Sequence, residues 1–324
     1  MRVGRPIGAR RALLLACAAG AIVTIAALAL PPCGGTPARE NEFSARWHDG
    51  KAELDGYRLT VRRYGQERPG RAVMIFVTEP MSESRLVKVE GPLQDPGDVF
   101  DALKLNLVRD FQTGIYDYNT MVSVFSRTDT FQPAKVSFTS AEWCGHVYEE
   151  VSFRGQRIQD SLRSYFEGES REVELPAERG GVQEDNLFIL LRGLRGDYLA
   201  RGERKEVPYL PSLFWGRLSH RPLAWTTATV ERLPETETAR VPAGDLSAAV
   251  YVVRVAGGRE GRFWIEEAEP HRVVRWSWTE AMKDGPATVE EGELTGTSRL
   301  AYWKLHDNGH ESYLAALGLA TTAP

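Results

Sequence analysis

Between residues 114 and 126, in "GIYDYNTMVSVFS", Tyr116, Tyr118, Thr120, Val122 and Val124 occupy every second position, and Ile115, Asp117, Asn119, Met121 and Ser123 fill the positions between them. A strand points successive side chains to opposite faces, so this period of two commits the segment to a sheet with two unlike faces. The twenty residues 134–153 ("AKVSFTSAEWCGHVYEEVSF") keep the same habit and predict one long strand, bent at Gly145. A β-branched and aromatic run over 72–80, ended by Pro80, predicts a buried strand with "RLVKVE" (85–90) as its hairpin mate. Residues 261–280 read as strand, turn at "EAEP", and strand, and 289–305 supply at least one more.

Helical signals are few. Asp185 can cap and Gly193 can stop the apolar segment 184–194, and 310–319 reads as a short helix whose Leu314, Leu317 and Leu319 seal the core. Many strands at short spacing with one or two helices predict a mainly β fold, a curled antiparallel sheet or half-barrel packed around those helices. A long sheet curls and needs something in its concave face, and the 187–194 helix is the natural plug. The segment 34–45 reads as a flexible tether and 46–324 as the β domain. A second reading divides that domain into two lobes near 233–244, where "LPETETARVPAG" has the composition of a connection.

The first 33 residues carry four arginines followed by an uncharged apolar run from Ala12 to Leu30, the pattern of an export signal. At nineteen residues the run is also near the roughly 20 that span a bilayer, so a retained anchor remains open. Cys33 lies where a lipoprotein signal is cut and acylated. Cys17 and an ordinary cut after Ala29 are the alternatives, and Arg10 with Arg11 leaves a twin-arginine route open. Without the leader, 36 Lys+Arg face 44 Asp+Glu, a net charge of −8 that excludes a phosphate-backbone binder. With at most Cys33 and Cys144 left, no disulfide framework exists and stability must come from apolar burial.

Cys144 is the sole cysteine outside the leader. On a continuous strand it shares a face with Glu142, His146 and Tyr148, at about 6.5 to 7 Å between successive members. The expected role is a buried wall residue. The alternative is a thiolate nucleophile activated by His146, with Glu142 orienting the imidazole. His306 and His310 are four apart, a metal-ligand spacing on a helix, but Asp307, Asn308 and Gly309 between them compose a turn. No nucleotide, zinc-protease or serine-hydrolase motif occurs, and no cofactor is implied.

Trp143, Tyr148, Tyr165, Phe166, Trp264, Trp276, Trp278, Tyr302 and Trp303 fall on predicted strands. They serve either as large core fillers or as the lining of a groove for an acyl chain. The stretches from "WHDGKAELDGYRLTVRRYG" through "KLNLVRDFQTGIYDYNTMVSVF" to "GELTGTSRLAYWKLHDNGHESYLAALGL" resemble a group of exported bacterial proteins that carry the label "septum formation inhibitor Maf". The Ser-Pro-Arg-Arg motif of true Maf nucleotide pyrophosphatases is absent, so no Maf residue is carried over. The helix "DNLFILLRGL" followed by "FWIEEAEPHRVVRW" is similar to a periplasmic domain of unknown function related to half-barrel lipoprotein carriers. Those resemblances imply a curled sheet around helices and, by analogy of fold alone, lipid handling. The expectation is therefore an exported, membrane-anchored, non-catalytic envelope protein that binds an apolar ligand or an envelope partner. A thiol hydrolase and a purely structural lipoprotein are the alternatives.

Overall fold

The alternating runs form one fifteen-stranded sheet in the computed structural model, which describes residues 37–91, 95–282 and 285–319. The leader, including Cys17, Ala29 and Cys33, lies outside the described residues. Helix α1 (Pro37–Trp47) occupies most of the segment read as a tether. The first arm of the sheet is a meander of β1 (Ala52–Arg63), β2 (Gln66–Ser82), β3 (Val99–Thr113), β4 (Tyr116–Arg127), β5 (Pro133–Glu142), β6 (Gly145–Arg154), β7 (Arg157–Ser164) and β8 (Arg171–Pro176). After β9 (Val182–Gln183) come the short helix α2 (Leu187–Leu190), β10 (Arg204–Leu210) and helix α3 (Leu213–Ser219). The second arm is completed by β11 (Thr226–Val241), β12 (Gly244–Val255), β13 (Arg259–Glu266), β14 (Val273–Met282) and β15 (Gly285–Leu300). β15 pairs with β1, so the two arms share one sheet with β8 and β9 at its free edges. All pairings are antiparallel except β9 with β10.

Connectivity forces this sheet to curl. Fifteen strands at about 4.8 Å spacing would extend nearly 70 Å if flat. The five residues 177–181 joining the two edges reach only about 20 Å at full stretch. Trp225 Nε1, from the connection ahead of β11, donates to the carbonyl of Pro176 on β8 at 2.8 Å. The sheet is not closed by strand pairing.

The inner face is apolar: Tyr57, Leu59, Met74, Phe76, Val122, Val124, Phe138, Phe263 and Trp276 are fully buried there. Trp276 needs Gly292 opposite it, since a Cβ at that position would lie 2.0 Å from the indole ring. The segment 184–199 fills the concavity. A 3-10 turn over Glu184–Asn186, capped by the Gln183 side chain, leads into α2, whose Phe188 meets Phe263 and Trp276 edge-on, each at 5.4 Å. α1 closes one end with Phe43 and Trp47, both buried, and α3 closes the other with Leu213 and Phe214. The outer face is covered only locally. The C-terminal 3-10 helix His310–Leu317 lies across Gly56 and Gly296, and Leu317 and Leu319 pack on Ala52, Leu54 and Val77 while Leu314 stays outside.

Ion pairs hold the filling in place. Arg259 of β13 donates through Nη1 and Nη2 to both oxygens of Glu184, each at 2.8 Å, with its guanidinium between the rings of Trp215 and Trp278. Arg192 donates to Glu53 of β1 at 2.7 Å and to the carbonyls of Pro270 and His271 at 2.9 Å, between Trp47 and Phe76. Arg217 of α3 reaches Glu142 of β5 at 2.7 Å, and Asn186 donates to the carbonyl of Phe131 at 2.9 Å.

Four further expectations are corrected. Residues 134–153 are two strands, because the chain reverses at Trp143 and Cys144, with Glu142 paired to Gly145. "RLVKVE" is not a strand: β2 takes β3 as its partner, and only Lys88 bridges back to Met81. The 184–194 segment is helical for a single turn of four α-helical residues after its 3-10 start. Residues 233–244 do not separate two lobes, since they run through β11 and the turn into β12. Among the described residues no helix is long and apolar enough to cross a membrane.

Removing one member of a buried pair strands the other charge, a loss of about 3–5 kcal/mol. Arg259→Met is therefore expected to lower the guanidinium unfolding midpoint sharply, and Glu184→Gln combined with Arg259→Met to recover part of the loss.

Candidate functional site

The hairpin geometry disperses the Glu142, Cys144 and His146 constellation. Cys144 sits in the exposed two-residue turn and is not a wall residue. His146 pairs with Ala141 on the outer face of β6 and is exposed. Glu142 points inward and accepts from Ser140 Oγ at 2.9 Å and from Arg217 at 2.7 Å. The two helpers of the proposed thiol thus lie on opposite sides of the sheet. His306 contacts Asp307 at 3.5 Å, and His310 Nδ1 accepts the backbone N–H of Asp307 at 3.3 Å. Among the described residues no three His, Cys, Asp or Glu side chains gather to hold a metal ion.

The aromatic residues divide. Trp264, Trp276 and Trp278 are buried, whereas Trp143 and Tyr165 stand on exposed turns, Tyr148 lies on the outer face, and Tyr302 and Trp303 follow the end of β15. Trp276 and Trp278 belong to the inner-face core and Trp264 to a separate cluster with Val250, Val252 and Val274, and clefts border α3. Ser212 caps this seven-residue helix by accepting from the N–H groups of Phe214 and Trp215, and Asp185 of the plug in turn accepts from Ser212 Oγ at 2.6 Å and from the N–H of Leu213 at 3.0 Å. α3 is thereby seated on the plug with clefts on either side.

The larger cleft, about 520 Å³, lies between α3, the β1–β2 hairpin and the ends of β13 to β15. That volume falls within the range of small-molecule sites, roughly 300–1,000 Å³. Phe214, Trp215, Leu218, Trp278, Met282 and Val289 give it apolar walls. Its deeper charges are neutralised: Arg259 by Glu184 and, at 3.2 Å, by Glu280, and Glu290 by Arg109 Nε at 2.8 Å. Trp276 Nε1 donates to the same Glu290 oxygen at 3.0 Å. Arg62 and Arg63 at the rim have no carboxylate partner among the described residues. Arg63 donates to the carbonyl of Leu218 at 2.7 Å, with its guanidinium 4.5 Å from the Tyr64 ring. Tyr64 is hydrogen-bonded to Tyr116 at 3.3 Å and Tyr118 at 2.9 Å, and these bonds hold its phenol below the ordinary tyrosine range. An apolar slot with a cationic rim and a phenol cluster suits a molecule that is apolar along its body and anionic at one end.

On the other side of α3 a cleft of about 260 Å³ is lined by Glu149, Arg171, Arg217 and His220. Burial, followed by the neighbouring Asp160, pushes Glu149 up to about 8. A proton on Glu149 supplies the donor that the buried Asp160 Oδ1 otherwise lacks, while Arg171 bridges both carboxyl groups. A groove lined by aromatics such as Trp278 was an expectation of the sequence, but the deep salt pairs and the position of these clefts are not legible in local patterns, because their members come together from distant strands.

In the folded protein Glu149 keeps its proton up to about pH 8, whereas in the unfolded chain it loses it near the ordinary 4.5. Between those values the unfolded state binds fewer protons, so stability falls as pH rises through this window. Glu149→Gln is expected to flatten that part of the pH profile in urea titrations from pH 4.5 to 8; an unchanged slope contradicts the assignment.

No protein-family model matches this chain, and no curated protein matches it.

Proposed function

We propose that this is a non-catalytic protein of the cell envelope that binds an apolar ligand with an anionic head in the cleft between α3 and the β1–β2 hairpin. Its N-terminal leader exports it and, either directly or through an acyl chain on Cys33, keeps it at the membrane. The observation that carries the reading is the combination of a cleft of about 520 Å³, aromatic and aliphatic walls, and two rim arginines without carboxylate partners. Burying an acyl or similar chain against such walls is favourable by roughly 25 cal/mol per Å² of apolar surface. The rim arginines add direction, since a guanidinium recognises carboxylate or phosphate through paired hydrogen bonds. The likeness to exported proteins and to half-barrel lipoprotein carriers is in keeping with this, as analogy of fold. A thiol hydrolase gains no support, because neither His146 nor Glu142 reaches Cys144 from a common side.

Titration with dansyl-undecanoic acid is expected to show saturable enhancement of probe emission. Replacing both Arg62 and Arg63 with glutamine is expected to weaken the acid about tenfold, equivalent to about 1.4 kcal/mol, and to leave the methyl ester unaffected. Leu218→Trp, which fills the slot, is expected to weaken both probes. No response of the wild-type chain to the acid contradicts the proposal.

A further inference from the structure

Antiparallel meanders place alternate turns at opposite ends of a sheet, which makes the two ends of this molecule comparable. The hairpins β1–β2, β3–β4, β5–β6, β7–β8, β12–β13 and β14–β15 all fall at one end, as the registers Arg63 with Gln66, Thr113 with Tyr116, Glu142 with Gly145, Val255 with Arg259 and Met282 with Gly285 require. All but β12–β13, whose tip is Ala256, Gly257 and Gly258, carry a large apolar or aromatic side chain at or beside the turn. Ile115 is 80 % exposed, Trp143 69 %, Tyr165 68 %, Tyr64 59 % and Met282 41 %. Tyr165 is held across Gly145 of the neighbouring hairpin so closely that a Cβ there would lie 2.4 Å from the ring. Turns at the other end are built from Asp129 and Thr130, Gly155 and Gln156, and Glu267 to Glu269. The large apolar side chains standing out there, Val87 and Trp303, are each less than half exposed.

We infer that this end of the sheet docks onto a lipid bilayer bearing anionic headgroups, with the five tips entering the interfacial layer. Three features select a bilayer over a protein. Successive tips are about 10 Å apart, two strand spacings, with polar backbone between them. A protein interface needs a contiguous packed core, whereas separated fingers enter a fluid layer one by one. Three of the five are Trp or Tyr, whose amphipathic rings favour the headgroup level. Arg62 and Arg63 immediately precede Tyr64 and have no carboxylate partners among the described residues, in a chain whose overall charge is negative, and they complement anionic lipid. Several shallow contacts of this kind supplement a single anchor, which alone binds only marginally. The docking surface does not depend on a ligand occupying the neighbouring cleft, although it faces that cleft's rim toward the lipid.

The test uses the full chain in vesicles of equal parts phosphatidylcholine and phosphatidylglycerol, with the phosphatidylcholine brominated along its acyl chains. Bromine quenches only tryptophans that reach the bilayer, and the leader contains none. Wild-type emission is expected to be quenched. Trp143→Phe is expected to remove at least half of the quenched component, and Trp303→Phe to leave it unchanged. Both substitutions are at exposed side chains, so neither threatens the fold. Absence of quenching, as a protein-binding rim would give, or quenching that disappears with Trp303 and survives the loss of Trp143, overturns the inference.

Discussion

Arg259 and Glu184 meet inside the curled sheet through two hydrogen bonds of 2.8 Å, with tryptophan rings on both sides of the guanidinium. A charge pair so deeply buried is tolerated only where its geometry is good. That demand ties the first residue of the plug to β13, and Arg192 makes the same kind of tie from the plug's far side to β1. The pairs therefore contribute register as much as energy: they set which residues of 184–199 face which strands. Hydrophobic burial of Leu187, Phe188, Ile189 and Leu191 supplies the driving force. Apolar contact alone would leave a short helix of four residues free to slide.

A sheet of this width without filling would be an open trough, and a trough lined by Phe, Trp and Tyr would be a natural acyl-chain groove. The plug occupies that space. Clefts border α3 at the margin of the plug, and in the one against the β1–β2 hairpin neutralised buried charges give way to apolar walls with a cationic rim. The cleft proposed to bind a ligand thus sits at the end where the hairpin tips are most apolar. A cleft rim and an aromatic fringe side by side join the two proposals physically: a ligand drawn from a membrane has a short path into the slot.

The legible parts of the fold were those in which one strand face is buried and the other is wet. Residues 116–124 behaved as their alternation predicts, burying Tyr118, Thr120, Val122 and Val124 on β4. The reversal at Trp143 and Cys144 was hidden because two-residue hairpins ordinarily announce themselves with Asn-Gly or Asp-Gly, and here only Gly145 marks the turn. The stretch 233–244 has loop-like composition for a different reason. β11 is irregular between Arg232 and Thr236 and partly exposed beyond, so its composition imitates a loop although its backbone pairs with β12. The candidate site was beyond the reach of local patterns. Glu142 and Arg217 are 75 positions apart, and Arg109 and Glu290 are 181 apart, so that ordinary surface-type charges became buried partners only through the curl of the sheet.

Native-state hydrogen exchange tests the central claim, that the plug is fastened as firmly as the sheet around it. The amides of Leu191 and Arg192, bonded to the carbonyls of Leu187 and Ile189 at 3.0 and 3.2 Å, report on the plug, and that of Phe263 reports on β13. If the buried pairs anchor the plug, the three exchange with the same free energy, that of global unfolding, and with the same denaturant dependence. Exchange of Leu191 and Arg192 through a lower-energy opening that leaves Phe263 protected would show a mobile lid inside an independently stable sheet, and would contradict the account.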